Sequence, residues 1–86
     1  MKAKLITSRQ IARELGPPLS IRYYLLEEAS GSGKLYGIKV VEETIRAAAV
    51  APGLTGDKQY AFELIDRLAK GSVIPAGLAD VLADLL

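Results

Sequence analysis

Ser30-Gly31-Ser32-Gly33 is a flexible tetrapeptide set between two runs of strand-forming residues. Ile21-Arg22-Tyr23-Tyr24-Leu25-Leu26-Glu27-Glu28-Ala29 precedes it, and Leu35-Tyr36-Gly37-Ile38-Lys39-Val40-Val41-Glu42 follows it. β-Branched and aromatic side chains favour strands, and glycine supplies the positive φ that a tight hairpin needs. The two runs therefore read as an antiparallel hairpin, with both glycines free to take positive φ. Alternation puts Ile21, Tyr23 and Leu25 on one face and Arg22, Tyr24, Leu26 and Glu28 on the other. In the second run Tyr36, Ile38 and Val40 oppose Leu35, Gly37, Lys39 and Val41. Gly37 inside a strand signals a bulge or the close approach of a ring from a neighbouring strand. Glu42-Glu43-Thr44 reads as a second turn, Ile45 to Ala51 as a third strand, and Pro52-Gly53 as the end of the sheet.

Beyond the sheet the period changes from two to 3.6. Ala61, Leu64, Ile65 and Leu68 form an i, i+3, i+4, i+7 stripe flanked by Tyr60 and Phe62, with Thr55 or Asp57 as the cap. Lys70-Gly71 ends that helix. A second helix starts near Pro75 and carries Leu78, Val81, Leu82 and Leu85. Two helices with one apolar stripe each cannot stand alone, so they lie on the sheet. The expected architecture is α+β: a three-stranded antiparallel meander over residues 21–51, then two helices packed on one face, in a single β-β-β-α-α domain at 21–86.

Residues 1–20 read as an N-terminal arm. Within it, Thr7-Ser8-Arg9-Gln10-Ile11-Ala12-Arg13-Glu14-Leu15 has the pattern of a short helix. Thr7 and Gln10 form a capping box, Ile11 and Leu15 share a face, and Gly16-Pro17-Pro18 stops it. An unstructured arm is the other reading, because so short a helix needs a surface to lie on. The turn and second helix of a helix-turn-helix are absent.

Composition narrows the chemistry. The 86 residues contain neither cysteine nor histidine, which removes disulfides, zinc-finger ligands and the commonest catalytic bases. Half the residues are apolar, too many for a disordered chain. A domain of this size buries only roughly 60–65% of its unfolded surface, so its core is thin. No stretch approaches the ~18 apolar residues of a membrane span, and the start lacks the apolar segment of a secretory signal. The expectation is a cytoplasmic protein without a membrane partner.

The candidate motifs fall short of known chemistry. Gly31-Ser32-Gly33-Lys34 resembles the end of a phosphate loop, but Glu28 and Leu35 occupy the positions of its first glycine and its Ser/Thr, and a strand follows instead of a helix. Glu27-Glu28 and Glu42-Glu43 fall at opposite ends of the hairpin and read as solubilising edge charge. Asp80 and Asp84, at i, i+4 near a helix end that disfavours anions, call for a compensating base. Arg67 or Lys70 supplies it internally, or a basic partner does. No metal or other cofactor is expected, since two carboxylates alone make a poor cation site.

The segments Tyr24-Leu25-Leu26-Glu27-Glu28, Leu35 to Glu42, Ala61 to Leu68, and Val73-Ile74-Pro75-Ala76-Gly77-Leu78-Ala79-Asp80-Val81-Leu82-Ala83-Asp84-Leu85 together carry a resemblance. They resemble a family of short bacterial proteins, common in gut and soil Firmicutes, catalogued as a domain of unknown function. The resemblance covers residues 21–86. It implies a compact α+β domain in a bacterial cytoplasm and supplies no activity.

Functionally, the two-sided apolar strands matter most. The helices can cover one face; Ile21, Tyr23 and Leu25, or their alternates, then lie on the other beside Leu35 or Tyr36. The residues expected at an interface are thus Ile21, Tyr23, Leu25, Leu35 and Tyr36. The first expectation is a non-enzymatic interaction or regulatory module, a homodimer through the sheet, with Asp80 and Asp84 as acids that could face a protein partner. The alternative is a nucleic-acid-associated protein. Residues 1–26 carry five bases against Glu14 alone, and Lys4, Arg9, Arg13 and Arg22 form its candidate basic surface. Tyr23 and Tyr24 point to opposite faces, which disfavours base stacking and with it the nucleic-acid reading.

Overall fold

The computed structural model describes residues 1–86 as four strands followed by two helices and an intervening 3-10 turn. The strands are β1 (Lys2–Ile11), β2 (Leu19–Ser30), β3 (Gly33–Glu42) and β4 (Ala47–Thr55). They form one antiparallel meander in the order β1-β2-β3-β4. Helix α1 (Lys58–Lys70), the 3-10 turn Pro75–Gly77 and helix α2 (Leu78–Leu85) follow. The α+β class and the helical layer are as expected. The sheet has four strands, not three.

The extra strand is β1, where the capping-box pattern predicted a helix over 7–15. Residues 12–18 form the loop, and Leu15, expected on the helix's apolar face, is 88% exposed. A helix there would leave one edge of the twelve-residue β2 without backbone partners. Strand pairing satisfies that edge from Lys2↔Glu27 to Ile11↔Leu19. Arg13 Nε donates to the Pro17 carbonyl at 2.7 Å within the loop.

The hairpin closes as its glycines predicted. Ser30 pairs with Gly33, and Gly31 at φ +57° takes the first central position, as a II′ turn requires. Gly33 keeps a negative φ, so only one glycine uses its freedom.

One face of the sheet is the core. Ile21, Tyr23, Leu25, Ile38 and Val40 are at most 3% exposed, and Tyr36 is buried with them. They pack against Ala61, Leu64, Ile65, Leu68 and Ala69 of α1 and Leu78 and Leu82 of α2. Both predicted helical stripes therefore face the sheet. Asp57 caps α1 by accepting from the Gln59 and Tyr60 N–H groups. The C-terminal end of α1 departs from the expected glycine stop. Gly71 has φ −86° and Ser72 carries the positive φ, +49°. The bonds Val73 N–H to Leu68 O and Ser72 N–H to Ala69 O make this a Schellman closure.

The link between the helices is tied to the sheet by Tyr23. Its hydroxyl donates to the Val73 carbonyl at 2.9 Å, and burial pushes its pKa up.

β4 runs on past Pro52-Gly53, the expected end of the sheet. Between Tyr36↔Thr55 and Ile38↔Ala51, three residues of β4 stand opposite Gly37 alone. The bulge is where Pro52, which has no N–H to give the ladder, is tolerated. Gly53 has φ +63°. The close approach expected at Gly37 is therefore β4 backbone, not a ring.

Candidate functional site

Four of the five expected interface residues lie beneath the helices. Ile21, Tyr23, Leu25 and Tyr36 face α1 and α2 and are not available to a partner; only Leu35 lies on the opposite face. Alternation alone cannot say which of two apolar faces a helix will choose. The alternate set decides the site, and it is divided in two. Toward the Ser30–Gly33 turn the β4 bulge lies over Gly37, whose cross-strand partner Leu26 is 4% exposed. The other half is open.

Across that open half one row of side chains spans all four strands: Leu5, Tyr24, Lys39 and Val50 are successive cross-strand partners. Leu5 is 48% and Val50 52% exposed, while Tyr24 and Lys39 are half-buried. The Lys39 ammonium stands 5.9 Å from the Tyr24 ring centroid, within cation–π range. In the next row Arg22 pairs with Val41, and its Nε reaches Glu43 Oε1 at 2.9 Å. Tyr24 first, and Glu43 second, hold the Arg22 guanidinium further into its charged range.

The basic residues do not form one surface. Lys4 and Arg9 pair with Leu25 and Ile21 and so belong to the helix-bearing side of edge strand β1. Arg13 is in the loop, and Arg22 is on the open face. A +4 run in sequence is split because strand alternation sends neighbours to opposite faces.

Asp80 and Asp84 are exposed and make no ion pair; Lys70 instead bridges to Asp66 at 2.9 Å within α1. Helix α2 begins at Leu78, which puts Asp80 in its first turn, where the helix dipole favours an anion. Half of the anomaly read from the sequence thus disappears.

Glu42, read as edge charge, is 2% exposed on the helix-bearing face. Its carboxylate accepts from Thr44 N–H at 3.1 Å and Ile45 N–H at 2.8 Å, closing the turn before β4. Burial works against the charge, but these bonds, with the Thr44 hydroxyl and the Ser20 backbone, outweigh it and hold the pKa below the usual carboxylate range. The sequence signal was present: an acid three residues before Ile45 in a turn can satisfy successive turn N–H groups. A depressed folded-state pKa stabilises above the unfolded value of ~4.3 and is lost as pH falls through the folded value. Glu42→Gln is therefore expected to be less stable than wild type at pH 7 and to lose less on acidification. Urea unfolding from neutral to acid pH should show the two curves converging at the acid end.

No group of three or more acidic side chains comes together as a metal site, and no helix is long and apolar enough to cross a membrane. The fold and its surfaces define a small meander sheet, helix-covered on one face and half open on the other. The chain belongs to the family of unknown function DUF6514, whose model matches residues 2–86 and so includes β1. No curated protein and no solved structure matches it.

Proposed function

We propose that this protein is a non-enzymatic interaction module that self-associates through its sheet. The observation that carries the reading is the uncovered sheet: the helices take one face, and the Leu5–Tyr24–Lys39–Val50 row and the outer edge of β4 remain. Burying a few hundred Å² of such surface contributes several kcal/mol at ~25 cal/mol/Å², a large share of a small domain's stability. Sedimentation velocity over a concentration series tests it. The expected result is a sedimentation coefficient that rises with concentration; a chain still monomeric near ~1 mM, where association would be worth only ~4 kcal/mol, sinks the reading.

One observation favours a second reading. Tyr24 with Lys39 and Arg22 around it is a ring-and-cation cluster on an open sheet, a chemistry that stacks unpaired bases. Against it, the basic arm is divided between faces and Arg22 is already paired with Glu43. Titration of a labelled oligothymidylate at low salt separates the two. A salt-sensitive complex weakened by Tyr24→Ala supports this second reading, and no binding removes it.

A further inference from the structure

The two edges of the sheet differ in chemistry. β1 carries Lys2, Lys4 and Arg9 and a register shift between Leu5 and Thr7. Charges and bulges of this kind are how proteins keep an edge from pairing with another chain. β4 has no charged residue from Ala47 to Thr55. Over Ala47-Ala48-Ala49-Val50-Ala51 it is regularly paired with β3, and no hydrogen bond outside that ladder reaches it. Its outward N–H and C=O groups are thus without a protein partner. Two exposed apolar side chains flank it in the chain or in the fold: Ile45, in the turn leading into β4, is 69% exposed, and Ile74, which precedes the 3-10 turn packed against β4, is 41% exposed.

We infer that β4 pairs antiparallel with β4 of a second copy about a two-fold axis at Ala49, joining two meanders into one eight-stranded sheet. This rests on the self-association proposed above and names its surface. The segment is close to a palindrome about Ala49. Antiparallel self-pairing sets Ala47 beside Ala51 and Ala48 beside Val50 of the other copy, small side chain against small or β-branched, with no charge buried. The Pro52–Leu54 bulge ends the paired stretch at one end and the turn at Arg46, φ 55°, ends it at the other. The guarded β1 edge then lies at both outer margins, so the assembly closes at two. Face-to-face packing has no such match, because it must enclose Lys39, which has no carboxylate partner.

The test uses the full chain. Ala48→Lys, at an exposed position, places a cation at the seam; Leu5→Asp alters the open face at the far strand. The inference predicts that Ala48→Lys raises the dimer dissociation constant at least tenfold while Leu5→Asp leaves it within about twofold. It also predicts, for the wild-type chain, that amide exchange within Ala47–Ala51 slows as concentration rises. Loss of the dimer with Leu5→Asp and not Ala48→Lys overturns the edge and leaves self-association through the open face. A wild-type chain that is monomeric throughout, with concentration-independent exchange in β4, overturns both.

Discussion

Gly37→Ala is expected to destabilise the domain by about 3 kcal/mol or more, at or beyond the usual upper end for overpacking. A Cβ on Gly37 would overlap the Ala51 carbonyl oxygen and lie 2.7 Å from Pro52 Cα and 3.1 Å from Gly53 N. All three neighbours are backbone, so no side chain can swing aside. Relief requires β4 to lift away from β3 where three of its residues cross one. That movement uncovers Leu26, which pairs with Gly37 and is buried on this face. Gly33→Ala is the control: its Cβ would meet nothing nearer than the Ser30 carbonyl oxygen at 4.0 Å. Urea midpoints should fall sharply for Gly37→Ala and hardly at all for Gly33→Ala. Equal, small effects would mean that β4 does not cross Gly37 this closely.

Tyr23→Ala should cost about 3–5 kcal/mol for the cavity, with a further ~1 kcal/mol from the lost hydrogen bond. A domain of 86 residues has about 4–13 kcal/mol to lose, so this one substitution removes roughly a third or more of the total stability. Tyr23 is wholly buried between sheet and helices, and its hydroxyl holds the Val73 carbonyl in the link between α1 and α2. Tyr23→Phe separates the two contributions. It keeps the ring, leaves a carbonyl unpaired, and should cost about 1–2 kcal/mol. Thermal or urea unfolding reads both; if Phe were as damaging as Ala, the hydroxyl rather than the ring would hold the helical hairpin to the sheet.

Three results would thus locate the stability of this fold: backbone crossing at Gly37, helix docking at Tyr23, and the Glu42 carboxylate that closes the last turn. Each joins segments distant in the chain or buries a group whose sequence context reads as surface. The candidate interface had the same difficulty. Arg22 and Tyr24 were visible as the alternate face of an apolar strand. What set that face apart was the docking of α1 and α2 on its opposite.

Legible in the sequence were the central hairpin, both helical stripes, a cap at Thr55 or Asp57, and a bulge or close approach at Gly37. All of these rest on local rules: alternation at period two, the 3.6 period, glycine freedom in the Ser30–Gly33 loop, and side-chain capping. Tertiary structure alone decided that residues 2–11 are a strand, because the free backbone edge of β2 outweighs a marginal capping box. It also decided which apolar face the helices cover, that a five-base segment spreads over two faces and a loop, and that Glu42 is buried. These depend on which surfaces meet across the fold. Neither the side-chain pattern of one strand nor its charge count carries that information.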